Sequence, residues 1–173
     1  FSDCEKIIDI HLGDSLVELG EGAFSGCEAI TDIVIPSSLK IISSRAFANC
    51  SNVINITISY GVERIESQAF YDCGTLVREG SNMLRFSLPD SVEFIGEMAF
   101  AYTGIHSLEI GDGDIIVDDN AFYYSKIGII TLGEGVKTFS DLAFSMCDKI
   151  RVIYNNSDTE ITFGSASYYK DEN

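Results

Sequence analysis

Residues 27–50 read CEAITDIVIPSSLKIISSRAFANC, and this stretch decides the fold. With Cys27 as position zero, apolar side chains fall at Ile30, Ile33, Ile35, Leu39, Ile42, Ala46 and Phe47, which are offsets 3, 6, 8, 12, 15, 19 and 20. The same offsets are apolar in the unit before (Cys4, Ile7, Ile10, Leu12, Leu16, Leu19, Ala23, Phe24) and in the unit after (Cys50, Val53, Ile56, Ile58, Val62, Ile65, Ala69, Phe70). The Ala-Phe pair returns at Ala99-Phe100, Ala121-Phe122 and Ala143-Phe144, with Phe1 as a truncated first copy. The steps between these Phe residues are 23, 23, 23, 30, 22 and 22. Self-similarity at such a period marks a solenoid, propeller or array. One unit cannot bury its eight inward side chains alone, whereas stacked copies cover one another and share a columnar core.

The spacing within a unit assigns its parts. Ile33-Val34-Ile35 and Ile56-Thr57-Ile58 alternate and are β-branched, which predicts a half-buried strand at offsets 6 to 8. Turn residues follow at Pro36-Ser37-Ser38, Pro89-Asp90-Ser91 and Gly133-Glu134-Gly135. Offsets 12 and 15 point inward again, as in Val62 and Ile65, and fit either a second short strand or an irregular extended segment. The stretch ending in Ala-Phe has inward positions four apart, which predicts a helical or 3₁₀ turn. Ala lets the coil bend tightly there while Phe fills the wide part of the core.

The pattern Cys-x-x-Ile-x-x-Ile-x-Ile-Pro-x-x-Leu-x-x-Ile-x-x-x-Ala-Phe-x-x-Cys closely resembles the BspA-like subclass of leucine-rich repeats. Residues 27–50 are nearly a consensus copy, and the resemblance runs over about residues 1–154. It implies a right-handed, curved solenoid of about seven coils with a parallel sheet on its concave side. It also implies a secreted or surface-anchored protein, bacterial or protist, of a kind associated with adhesion to host matrix proteins or to other cells. A single solenoid domain over 1–173 is expected, with a degenerate C-terminal unit or cap over about 155–173. The start in mid-repeat at Phe1 reads as a fragment of a longer chain, with an open rung at that end.

Composition narrows the partners. The net charge is −16. Nucleic acid is disfavoured, because phosphate contacts need clustered Lys and Arg, and anionic membrane surfaces are disfavoured for the same reason. No run of 18 apolar residues suggests membrane insertion. A basic protein partner or a divalent cation is compatible with the charge, and so is plain solubility of a long stack.

Five cysteines, Cys4, Cys27, Cys50, Cys73 and Cys147, share one column of the repeat. Tyr102 or Thr103, and Tyr124 or Ser125, fill it in the two remaining copies, so the position needs modest bulk and not sulfur. Free, buried thiols packed as small hydrophobes are expected. Neighbouring rungs are near enough for a disulfide by distance, but the side chains would point in parallel. No Cys-x-x-Cys pair suggests a metal site.

The repeat breaks in two places. The 30-residue step carries extra residues between Leu76 and Met83, either a neutral bulge or a recognition loop. In the unit from Ile105 to Phe122, Asp114 falls where an apolar residue belongs. Residues 111–120 read GDGDIIVDDN, an ordinary Gly/Asp turn or a faint Asp-x-Asp calcium loop that lacks the remaining ligands and closing Glu of an EF-hand.

Catalytic chemistry is not legible. His11 and His106 lie in different units at different offsets, with no nucleophile beside either, and neither a Gly-rich phosphate loop nor a zinc spacing occurs. No cofactor is expected. The residues pointing out of the predicted sheet, offsets 5 and 7, are the candidate ligand-binding surface: Asp9, His11, Asp32, Val34, Asn55, Thr57, Arg85, Ser87, Glu109, Thr131 and Tyr154, with Ser107, Ile129 and Val152 in the same rows. A competing row at offset 14 contains Ile41, Phe94 and Ile116, which form a sticky ridge if exposed or pack under flanking loops if not. Two functions fit this reading: a non-catalytic adhesion or protein-interaction module, and a structural spacer or stalk that presents another domain.

Overall fold

The computed structural model describes residues 1–74, 84–135 and 137–156. Two rows of strands run along it. The first row holds β1 (Asp32–Ile35), β3 (Asn55–Ile58), β5 (Leu84–Leu88), β7 (Ile105–Ile110), β9 (Ile129–Leu132) and β11 (Val152–Asn155). The second holds β2 (Ile41–Ile42), β4 (Arg64–Ile65), β6 (Phe94–Ile95), β8 (Ile115–Val117) and β10 (Lys137–Phe139). The second row is one sheet in the order β10-β8-β6-β4-β2. The first comprises β11-β9-β7-β5 and the pair β1-β3, with β5 lying against β3. Every pairing is parallel, because a whole coil of chain separates each strand from its neighbour. The extended segment at offsets 12 to 15 is thus a second strand, and the chain is a β-solenoid.

Burial fixes the register. In β1 and β3 the isoleucines Ile33, Ile35, Ile56 and Ile58 point inward, and Asp32, Val34, Asn55 and Thr57 point out. Asp32 pairs with Asn55 and Val34 with Thr57. A slip of one residue would turn each inward isoleucine to solvent. The long step leaves the second row intact: Arg64 pairs with Phe94, and the Phe70 and Phe100 rings stack at 5.1 Å. The extra chain is therefore taken up between Gly74 and β5. The insertion itself, and the cap expected over 157–173, lie outside the described residues.

The Ala-Phe segment departs from expectation. It is a run of hydrogen-bonded turns, and no helix forms among the described residues. Ala46 N–H donates to Ser43 O at 3.1 Å and Ala48 N–H to Arg45 O at 3.1 Å, while Arg45, Phe47 and Asn49 donate into the next coil, to Ser67, Ala69 and Tyr71 carbonyls at 3.1, 2.8 and 2.7 Å. Arg45 (φ 56°) and Asn49 (φ 60°) are left-handed, and the pattern repeats at Gln68 and Asp72, Met98 and Tyr102, Asn120 and Tyr124. A left-handed residue at every fourth position keeps the turns from winding into a helix, and every second N–H points along the stack. A helix would spend those donors within its own turn and leave this side of the coil unpaired.

The core is the expected column. Seven Phe rings from Phe1 to Phe144 stack at 5.1–5.6 Å with interplanar angles of 6–8°. Ala46, Ala69, Ala99 and Ala121 beside them are wholly buried. Phe1 is 77% exposed, and Cys4, Ile7, Ile10, Leu12 and Leu16 of the first coil are only partly covered. Asp114 does not enter the core. It is exposed, and β8 begins one residue later with Ile115 and Val117 inward.

Candidate functional site

The first sheet row carries the candidate surface. In register across the strands lie Arg85, Ser107, Ile129 and Val152, and beside them Ser87, Glu109, Thr131 and Tyr154. Asp32, Val34, Asn55, Thr57, Arg85, Ser87, Glu109 and Tyr154 are exposed, and Thr131 is half-buried. Period-two alternation explains this for Val34, Thr57, Ser87, Glu109 and Thr131, each of which sits between two residues that the core takes, whereas Tyr154 lies on β11, where Ile153 and Asn155 are exposed as well. Asp9 and His11 belong to the same rows by offset but stand before β1, in a segment without strand. Both are exposed, with His11 Nε2 3.2 Å from Asp9 Oδ2. Asp32 accepts from Thr31 Oγ1 at 2.7 Å and from Asn55 Nδ2 at 2.6 Å. The Thr31 hydroxyl and then the Asn55 amide hold its carboxyl below the usual carboxylate range.

Three of these residues meet in one hollow. Ser87, Glu109 and Thr131 line a shallow groove of about 400 Å³ together with Asp90, Asp112 and Tyr60. Its acidic rim is built by the turns after the strands. Asp90 Oδ1 accepts from Asp112 N–H at 2.8 Å, and Asp112 Oδ1 accepts from Glu134 N–H at 3.0 Å. Each carboxylate thereby ties its coil to the next. The coils approach closely here: a Cβ on Gly113 or Gly135 would overlap the carbonyl of Asp90 or Asp112.

Lys137 was not legible as a special residue in the sequence. It pairs with Ile115 in register and points inward, 7% exposed. Its stem fills the column, and Nζ donates to Gly113 O and Gly135 O, each at 2.9 Å. Burial pulls its pKa down, against the nearby Asp112, Asp114 and Asp90. The acidic segment thus has a cation of its own chain. The available signal was a Lys at an inward offset, downstream of an acidic Gly turn. Among the described residues, no group of three or more His, Cys, Asp or Glu is arranged to hold a metal ion.

The thiol column is closed. Cys27, Cys50, Cys73 and Cys147 are buried, Cys4 is half-buried, and all are free. Cys27, Cys50 and Cys147 donate to the carbonyls of Phe1, Phe24 and Phe122 at 3.1, 3.2 and 3.0 Å. Thr103 and Ser125 fill the column in the other two coils: Thr103 donates to Phe100 O at 2.9 Å, and Ser125 Oγ lies 3.3 Å from Cys147 Sγ. Burial pushes the Cys50 thiol up to about 12 and raises Cys27, Cys73 and Cys147. A nucleophilic cysteine needs the opposite shift.

The offset-14 row is less apolar than its residues suggest. Ile41 and Ile116 are exposed, but Phe94 is half-buried beneath the Arg64 guanidinium, 4.1 Å from its ring centroid. Glu66 Oε1 accepts from the Nε of that arginine at 2.9 Å. Of the histidines, His106 Nδ1 lies 2.8 Å from Gly104 O. No helix among the described residues is long and apolar enough to cross a membrane.

Comparison with solved structures gives the same architecture. A leucine-rich repeat protein from Bacteroides ovatus superposes with a TM-score of 0.57 at 23% identity, over 91% of this chain and 45% of its own. A leucine rich cell surface protein from Faecalibacterium prausnitzii gives 0.51 at 21% identity, over 75% of this chain and 40% of its own. The chain therefore spans less than half the length of either, and at these identities the likeness is one of fold. No curated protein matches the chain. The family described as BspA type leucine rich repeat region matches in six copies, over residues 1–79 and 77–171. With nearly every residue inside those matches, the chain belongs to the BspA-type leucine-rich repeat family.

Proposed function

We propose that this chain is a non-catalytic protein-interaction module of a secreted or cell-surface protein, and that its ligand is a protein segment bearing basic side chains. The observation that carries this reading is the outward row of the first sheet. It sets Ser87, Glu109, Thr131 and Tyr154 in register on rigid strands, with Arg85 in the adjoining row, beside the acidic groove at Asp90 and Asp112. Mixed polar rows with Tyr and Arg suit recognition, and side chains held by a stacked core are pre-organised for it. A net charge of −16 speeds encounter with a basic partner. Adhesion to host matrix proteins or to another cell's surface is the setting that the resemblance to the BspA-type family implies, and the cell-surface protein from Faecalibacterium is consistent with it. The raised thiols and the dispersed histidines argue against nucleophilic or general-base chemistry.

The test is a binding screen of the purified chain against extracellular-matrix proteins at two salt concentrations. Saturable binding that weakens with salt, and is reduced by Glu109→Lys or Tyr154→Ala, supports the reading. A folded chain that binds none of them supports the spacer role instead, and binding unchanged by both substitutions refutes a site on this row.

A further inference from the structure

The left-handed residue two places after the Phe occupies one column: Gly26, Asn49, Asp72, Tyr102, Tyr124 and Met146, with φ between 52° and 71°. Gly, Asn and Asp adopt this conformation cheaply, whereas for a bulky side chain it is an outlier. The first three coils use the cheap residues. The last three place two tyrosines and a methionine there, so the turn itself does not explain the choice.

What these residues build is a surface cluster. The Tyr102 ring lies 5.4 Å from Tyr71, 5.4 Å from Tyr123 and 5.5 Å from Tyr124, at interplanar angles of 66°, 72° and 40°. Tyr124 is 54% exposed and Met146 58%. Tyr102, Tyr124 and Met146 line a hollow of about 320 Å³ whose charged walls are Asp72, Asp148, Lys126 and Lys149. Two acids and two bases line it, Lys149 paired with Asp148 at 2.9 Å, so the hollow is electrically balanced on a chain of net charge −16. It lies on the turn side of the coil, apart from the first-row groove.

We propose that this hollow binds one neutral pyranose unit of a glycan. Tilted tyrosine rings form a cradle for the C–H face of a sugar, and their hydroxyls serve as polar handles. Asp72 accepts from, and Lys126 donates to, the ring hydroxyls. The balanced walls offer a basic peptide no net attraction, and an anionic sugar would meet the field of the whole chain. At about 320 Å³ the hollow lies at the small end of ligand pockets, which suits one sugar ring better than a length of polypeptide.

The test is saturation-transfer NMR on the full chain with the methyl glycosides of glucose, galactose, mannose and N-acetylglucosamine, and with lactose against sialyllactose. Tyrosine fluorescence serves as a second readout, since the chain has no Trp. The comparison proteins are Tyr124→Asn and Met146→Asn, which install the residue found at Asn49. The expected result is saturable transfer to at least one neutral glycoside, with affinity reduced roughly tenfold or more in Tyr124→Asn. Relief of the backbone leaves Tm unchanged or raises it by about 2–4 °C. Absence of saturable transfer to every neutral glycoside overturns the proposal, as does stronger transfer to sialyllactose than to lactose. Unchanged binding with a lowered Tm in Tyr124→Asn also overturns it, because the rings would then serve only the stack.

Discussion

Raising the pH above about 9 destabilises this fold through its thiol column, and Cys50 gives the magnitude. In the unfolded chain the thiol titrates at its ordinary 9.0, while in the folded chain burial, and then the charge of the neighbouring Cys27, hold it to about 12. Between these values the folded state keeps a proton that the unfolded state has lost. Stability therefore falls as pH rises, by about 1.4 kcal/mol per pH unit for this one group and by about 4 kcal/mol once both values are passed. Below pH 9 the contribution is fully present. Cys27, Cys73 and Cys147 are raised in the same direction by burial and steepen the slope. The assay is urea unfolding under reducing conditions from pH 7 to 11, for the native chain and for Cys50→Thr. Threonine is the residue the column already uses at Thr103, where it donates to a Phe carbonyl, so the replacement suits the site. The native-minus-variant difference should be flat to about pH 9 and then change by about 1.4 kcal/mol per unit in the variant's favour. A difference that stays flat to pH 11 refutes the reasoning, since it would mean that the thiolate is as well solvated in the stack as in water.

Other outcomes follow from the same stack. Phe70→Ala, in the middle of the ring column, should cost about 3–5 kcal/mol, whereas Phe1→Ala at the exposed end should stay within about 0.5 kcal/mol; paired chemical melts check both. Lys137→Met keeps the stem but leaves the Gly113 and Gly135 carbonyls without their ammonium, with an expected loss of about 1–3 kcal/mol. Part of that loss should return at high salt, which screens the three aspartates left without their cation. Met98→Gly, which copies Gly22 of the first coil into a left-handed position at φ 54°, should stabilise by up to about 1 kcal/mol, the relief of the backbone exceeding the entropy of glycine. A lower melting point would show that the Met98 side chain contributes more than its backbone costs.

The sequence by itself determined the architecture of this protein. Offsets 3, 6, 8, 12, 15, 19 and 20 recur because each must face a column that only the next copy can close, and a constraint repeated coil after coil cannot be mistaken for a local preference. The outward rows were legible for the same reason, as the strand alternates side chains by geometry alone. The tertiary structure decided what depends on neighbours rather than on position. Spacing four apart before Ala-Phe reads as a helical turn, yet every second N–H goes to the adjacent coil, and no single unit reveals that partner. Asp114 interrupts the periodic count, but Ile115 takes the inward place because the strand above sets its register. Lys137 is buried only because two carbonyls of stacked glycine turns meet its ammonium, and Tyr102 and Tyr124, from two successive coils, line one hollow only once the chain has wound past itself. Period is written along the chain, whereas contacts between coils are fixed by a pitch that the chain acquires on folding.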